Sequence, residues 1–494
     1  MTNTVTMGGV PEGFDADIIL RQMQRDERPA MHIARDDKRL AAFAEAVRFF
    51  APDMPVIRFP AWDCLPYDRV SPNADISARR MATLAGLVHG MPKQFILLTT
   101  LNAAMQRVPA RQVLRDAAFR AEVGRPIDEE ALRSFLGRMG FSKAPTVLEP
   151  GDYAIRGGII DIYPPGDLGP IRLDLFGDVL DGARRFDPVS QRTTETLTEI
   201  ELSPVSEVIL DEAAITRFRQ NYRSEFGAAR SDDPLYESIS AGQKVQGFEH
   251  WLPFFHARLE SLFDYLPEVC VSFDDQLEPA RLARWEGIED QYETRKLAMQ
   301  AKQRMDSVYK PVTPTALYLD DAAWAASLNG HKVLKLHPLA QASGPGVIDA
   351  QGRLGRNFAP ERQQETVSLF SSLCHHVQKK LVSGPVVLAS YSDGSCERLS
   401  GLVSDEGFGD PVKINTRAQI GDAGLYVTVW GLEHGFETPD LTVISEQDIL
   451  GDRLVRSAKK RRKAENFLTE TQSLSAGDLV VHVDHGVGRY HGLE

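Results

Sequence analysis

Four turn signals fall between residues 145 and 204: Glu149-Pro150-Gly151-Asp152, Pro164-Pro165-Gly166-Asp167, Gly177-Asp178 and Asp187-Pro188. They cut the stretch into short runs bounded by Gly, Pro and Asp. That strand–turn–strand texture specifies a small α+β module rich in antiparallel strands. A small helix, within GRPIDEEALRSFLGRMGF at 124–141, precedes it. On either side the texture differs, so the module reads as inserted into, or hung from, a larger domain.

The flanks alternate helix and strand, the pattern of an α/β fold. KRLAAFAEAVRFF (38–50) has helical apolar spacing, PVIRF (55–59) is a short strand, and a Pro- and aromatic-rich loop follows. SARRMATLAGLVHG (77–90) is helical, with Asp75 or Ser77 as caps, and FILLTT (95–100) is a buried strand. Helical texture returns after Pro204 and runs polar through 280–305. A second α/β pattern begins near 316, with strands at 385–390, 425–430 and 441–445. Residues 453–463 then carry seven basic side chains and no acid. The last residues, GDLVVHVDHGVGRYHGLE, are strand-like and stop in mid-pattern at Glu494, which reads as a truncated chain.

With 494 residues, 43% of them apolar, the chain has material for about three cores. No apolar run is long enough for a membrane span, and the N-terminus lacks the pattern of a signal peptide. Four cysteines in this length are no disulfide framework, so a reduced, cytoplasmic protein is expected. The net charge of −13 argues against a surface that grips DNA throughout.

Catalytic chemistry is hard to find. A phosphate-binding loop needs G-x-x-x-x-G-K-[ST], and no such string exists here. The glycines Gly8, Gly9 and Gly13 precede a helix but bring no Lys and no Ser/Thr. The acids ending EVILDE, Asp211 and Glu212, read as a helix N-terminus favoured by the dipole. Cys374, His375, His376 and Cys396 offer metal-ligand types, but adjacent helical residues diverge by about 100° and suit one tetrahedral site poorly. A buried Cys and solvated histidines are expected. Of the cluster His482, Asp484, His485 and His491, Gly486 and Gly488 make a hairpin turn the better reading. No catalytic, metal or cofactor-binding residue is assigned.

One strand stands apart. In IRLDLF (171–176), alternation puts Ile171, Leu173 and Leu175 on one face and Arg172, Asp174 and Phe176 on the other. The first set serves a core. The second pairs an exposed ring with an Arg, which is interface composition. Arg156 lies on a neighbouring run beside paired glycines.

Long collinear blocks resemble the bacterial transcription-repair coupling factors. They are FPAWDCLPYDRVSPNADISARRMATL (59–84), GDYAIRGGIIDIYPPG (151–166), IRLDLFGDVLDGARRFDPVSQRT (171–193), GLEHGF (431–436), ISEQDILGDR (444–453) and GDLVVHVDHGVGRYHG (477–492). The first three hundred residues also resemble the nucleotide-excision protein UvrB. The long tyrosine-rich insertion that UvrB uses to clamp damaged DNA is missing, since Tyr67-Asp68 runs straight into SPNADISARRM.

The resemblance implies a UvrB-like α/β domain with a degenerate nucleotide site over 1–117 and 206–315, and a UvrA-binding domain over 118–205. It implies a second α/β domain of unassigned role over 316–450 and a basic linker over 451–472. Residues 473–494 would begin the small CarD-like barrel that grips the RNA polymerase β subunit, a contact expected only if the barrel were complete. The UvrA-contacting residues of the family map onto Arg156, Arg172 and Phe176. Full-length members bind ATP and Mg and translocate on DNA through a motor absent here, so no enzyme activity or cofactor is expected of this chain. The leading reading is the part of a coupling factor that recruits UvrA to lesion-stalled polymerase in nucleotide excision repair. The rivals are a UvrB-like binder of damaged DNA and an ATP-dependent helicase-like enzyme.

Overall fold

The computed structural model describes residues 3–227, 233–300, 309–342, 344–363, 368–451, 479–482 and 486–489. The basic run at 453–463 and the residues Asp484, His485 and His491 lie outside them. Two parallel-centred sheets and one antiparallel sheet organise these residues. No helix among them is long and apolar enough to cross a membrane.

The first sheet has seven strands in the order Val347–Asp349, Asn3–Gly8, Lys332–Leu336, Cys270–Asp274, Ala30–Ala34, Ile96–Thr100 and Val56–Phe59. Every neighbouring pair is parallel. Helices cover both faces, so the central strands Ala30–Ala34 and Ile96–Thr100 are buried at every position, as parallel strands between helical layers must be. Met31, Ile33 and Leu97 face one core; Ala30, Ala34, Ile96 and Leu98 face the other.

This sheet corrects one expected boundary. The strands at 332–336 and 347–349 flank the N-terminal strand, so the first α/β unit runs past residue 315. A strand in an α/β pattern carries no mark of which sheet it joins. Here the polar Asn3–Gly8 strand, not evident from periodicity, supplies the partner.

The second sheet holds Leu441–Ser445, Val386–Ser390, Leu425–Val429 and Val412–Lys413 in parallel, with antiparallel strands Phe436–Thr438 and Arg353–Leu354 at one edge. It shares a core with the first unit. Trp430 stacks on Phe49 at 4.5 Å between ring centroids, and Phe436 stacks on Phe14 at 6.0 Å. Helices Phe14–Asp26 and Asp37–Phe50 are thus buried between the two sheets.

The antiparallel sheet orders Thr193–Leu197, Val179–Phe186, Ile171–Phe176, Ile159–Ile162, Asp152–Arg156 and Ser142–Lys143, the last pair alone being parallel. Helix Glu129–Arg138 packs on one face with a core of Leu132, Leu136, Ile160, Leu173 and Leu180. The chain enters and leaves this unit as a two-stranded ribbon, Phe119–Glu122 against Glu199–Leu202. Just beyond the exit, Glu207 is clamped. Arg80, fully buried, gives it hydrogen bonds of 2.9 and 3.2 Å, and the Trp62 indole N–H donates at 2.7 Å.

Strands Leu479–His482 and Gly486–Arg489 form an antiparallel hairpin. Gly486 and Gly488 lie in its ladder, opposite His482 and Val480, and not in the turn.

Candidate interaction surface

The sheet of the inserted unit packs one face on its helix; on the other, Arg156 and Phe176 are exposed while Ala154, Asp161 and Phe186 are buried. Alternation along Ile171–Phe176 sorts the side chains as expected: Ile171 and Leu173 are buried, while Phe176 is 82% exposed. The register then brings the three singled-out residues to one face. Arg172 lies opposite Asp161, and Arg156 lies opposite Ile159, which lies opposite Asp174. Phe176, two positions beyond Asp174, is on that side and sits diagonally from Ile159. Gly158 permits this close hairpin, because a Cβ there would stand 2.8 Å from the Leu175 carbonyl oxygen.

The two arginines are in different states. Arg156 is exposed and donates to the Pro145 carbonyl and, at 3.4 Å, to the Thr146 hydroxyl. No carboxylate is paired with it among the described residues. Arg172 is committed. Its Nε donates to Asp161 Oδ1 at 2.7 Å and one terminal nitrogen donates to Oδ2 at 2.8 Å. The same nitrogen reaches Gln191 Oε1 at 3.0 Å, and the guanidinium lies 4.6 Å from the centre of the Phe186 ring. The hydrogen bond to Asp161 raises the Arg172 pKa above its ordinary value. The Nε and Nη2 donors of Arg172 are thus taken within the sheet. Sequence reading missed Asp161, Gln191 and Ile159. The eight residues between the two paired strands leave their register unfixed until the fold is known.

The glycine-rich turn before helix Phe14–Asp26 is filled by the chain itself. The Asp15 carboxylate accepts from the backbone N–H groups of Gly13 at 3.2 Å and Ala16 at 2.8 Å. Arg39 pairs with Asp15 and, at 3.2 Å, with Glu12. A Cβ at Gly8 would stand 2.6 Å from the Gln341 backbone nitrogen, and one at Gly13 would stand 2.9 Å from the Phe436 ring. These glycines serve close packing. Burial pushes the Glu12 carboxyl above its ordinary pKa.

Elsewhere, Asp211 caps helix Glu212–Phe226 by accepting from Ala214 N–H. Cys374 is buried and His375 exposed, as read from the sequence, but His376 is buried, edge-on to Phe358 and 3.8 Å from Glu437. No group of three or more His, Cys, Asp or Glu among the described residues could hold a metal ion.

Comparison with known proteins places these features in a family. Residues 119–207 match the family described as the UvrB interaction domain, which brackets the antiparallel unit. Residues 474–494 match the CarD-like/TRCF RID domain, over the C-terminal hairpin. A transcription-repair-coupling factor of Haemophilus influenzae is 30% identical over 502 aligned positions, covering 99% of this chain and 42% of the relative. One from Escherichia coli is 30% identical over 97% of this chain and 41% of the relative. One from Bacillus subtilis is 23% identical over 90% and 38%. The chain thus spans about two-fifths of the length of the curated relatives it matches. Over nearly its whole length the chain is similar to the transcription-repair-coupling factors.

Proposed function

We propose that this chain is the recruiting part of a transcription-repair coupling factor and that it binds UvrA through the sheet face that carries Arg156 and Phe176. The observation that carries the reading is Phe176, 82% exposed on the same sheet face as the exposed Arg156. An exposed aromatic next to an arginine is the composition of an interface anchor. The match of residues 119–207 to the UvrB interaction domain supports it. The setting would be nucleotide excision repair at stalled RNA polymerase in the cytoplasm. The match of residues 474–494 to the CarD-like/TRCF RID domain supports RNA polymerase, through its β subunit, as a second partner.

We assign no ATP or Mg chemistry to the described residues, because Asp15 already takes the amides that a phosphate would need. The test is a titration of labelled UvrA against the wild type and Arg156→Ala, Arg172→Ala and Phe176→Ala, with melting curves alongside. Each substitution should weaken binding at least about tenfold, the size of one lost charge-assisted bond or anchor. Wild-type affinity in all three would remove the proposed site.

A further inference from the structure

The three residues proposed for UvrA binding cannot all act alike, because Arg172 has no free donor fork to offer. Asp161, which holds it, is only 4% exposed and stands directly opposite it across two strands. Beyond Asp161, the outward reach of Arg172 goes to Gln191, in the loop that joins strands Val179–Phe186 and Thr193–Leu197. That loop is tight and internally bonded. Asp187 accepts from Ser190 N–H at 2.6 Å through its side chain and from Gln191 N–H at 2.8 Å through its carbonyl. Gln191 itself is left-handed, with φ of 58°, an uncommon conformation for a residue with a Cβ. Its Nε2 donates to the Pro188 carbonyl at 2.8 Å while its Oε1 accepts from Arg172. Val189, at the crest, is 88% exposed.

We propose that Arg172 is a positioning residue. Held by Asp161, it ties the 187–192 loop to the face that carries Phe176, so that Val189 joins Arg156, Ile159 and Phe176 in contacting the partner. This rests on the UvrA reading and adds a division of labour to it. One end of the face, at the paired hairpin tips, makes contact through Phe176, Ile159 and the unpaired cation Arg156. The other end holds a loop in place through an ion pair whose charges cancel. The complementary surface on the partner is an apolar pocket with a carboxylate at the Arg156 side, since that is the cation without an internal counter-charge.

Two measurements on the full chain decide the matter. The first needs no partner: hydrogen exchange of the backbone amides at 189–191. Arg172→Ala, Asp161→Ala and Gln191→Gly should each speed it, the last without disturbing a buried charge. Unchanged exchange in all three would overturn the tether. The second is UvrA affinity. Asp161→Ala should weaken it about as much as Arg172→Ala does, and the double variant should be no worse than either, because both remove one unit. Gln191→Gly and Val189→Ser should each cost at least about threefold, with melting temperature unchanged. If Arg172 touches UvrA directly, Asp161→Ala frees its fork instead, and affinity stays level or rises; that result overturns the assignment. Absence of UvrA binding by the wild type would refute the UvrA reading itself, and the exchange data would still judge the tether.

Discussion

The seven-stranded parallel sheet and the six-stranded antiparallel sheet use similar apolar strands to opposite ends. The parallel sheet is wrapped on both faces. Its strand ends and turns are consumed by packing, down to the glycine-rich turn where Asp15 and Arg39 fill the space. The antiparallel sheet packs one face on its helix, and its other face carries Arg156, Ile159, Arg172 and Phe176, of which Phe176 is the most exposed large hydrophobic residue. A sheet wrapped on both sides is a base. A sheet wrapped on one side can be a base and a recognition surface at once, because alternation separates the two jobs residue by residue.

That contrast breaks first, and hardest, at the clamp beneath the inserted unit. Arg80→Ala leaves Glu207 charged and buried without its partner, at a cost of about 3–5 kcal/mol. Urea denaturation should show the loss, and UvrA binding should fall only as far as folding does. Phe176→Ala should do the reverse. Binding drops at least about tenfold while stability stays within about 0.5 kcal/mol, because the ring packs on nothing that holds the sheet. A matched loss of stability and affinity in Phe176→Ala would erase the distinction between the two faces.

A smaller effect lies in the base and is read by pH. Glu249 accepts from the Ser71 hydroxyl at 2.7 Å, and burial raises its pKa to about 7. Its folded state binds a proton that the unfolded state releases from about pH 4.5 upward. Stability is therefore fullest below that pH and is lost as pH rises to about 7. Buried His250, held down to about 4, works the other way below about pH 6.5, so the two partly cancel in acid. The clean readout is the difference between wild type and Glu249→Gln. The wild type should lose on the order of 2 kcal/mol relative to the variant between about pH 5 and pH 8. A flat difference would show that Glu249 is not buried as described. The smallest expected effect is none: the chain should neither bind nor hydrolyse ATP, and Glu212→Gln should change nothing. Saturable ATP turnover by the pure chain, surviving that substitution, would show that the filled turn opens.

Much of this contrast was legible in the sequence, and the gaps have physical causes. The helices at 37–50 and 74–89 follow from their apolar spacing. The cap of the second is Asn73, whose side chain accepts from Asp75 N–H, and not the acid or serine after it. Strand Ala30–Ala34 hides because its central His32 is buried, stacked on Phe43 at 3.8 Å, where polarity suggests a loop. Phe176 was readable because alternation is local. The Arg172–Asp161 pair was not, because cross-strand register is set by the whole hairpin and not by either strand. The same limit hid which sheet the strand at 332–336 joins.

The shared core between the two parallel-centred sheets has a mechanical consequence. With Trp430 seated on Phe49 and Phe436 on Phe14, the second sheet cannot swing free of the first without exposing both rings. A pull on the chain at Gly451 enters through helix Glu446–Leu450, where Asp448 grips the Gly435 amide at 2.6 Å and Arg362 holds the carbonyls of Asp448 and Ile449 at 2.6 and 3.0 Å. The load passes next into strand Leu441–Ser445, bonded along both edges. Tension applied there meets the double-sheet body before it reaches the ribbon that carries the antiparallel sheet. The proposed UvrA-binding face is thus joined, through that ribbon, to a body whose two sheets share one core.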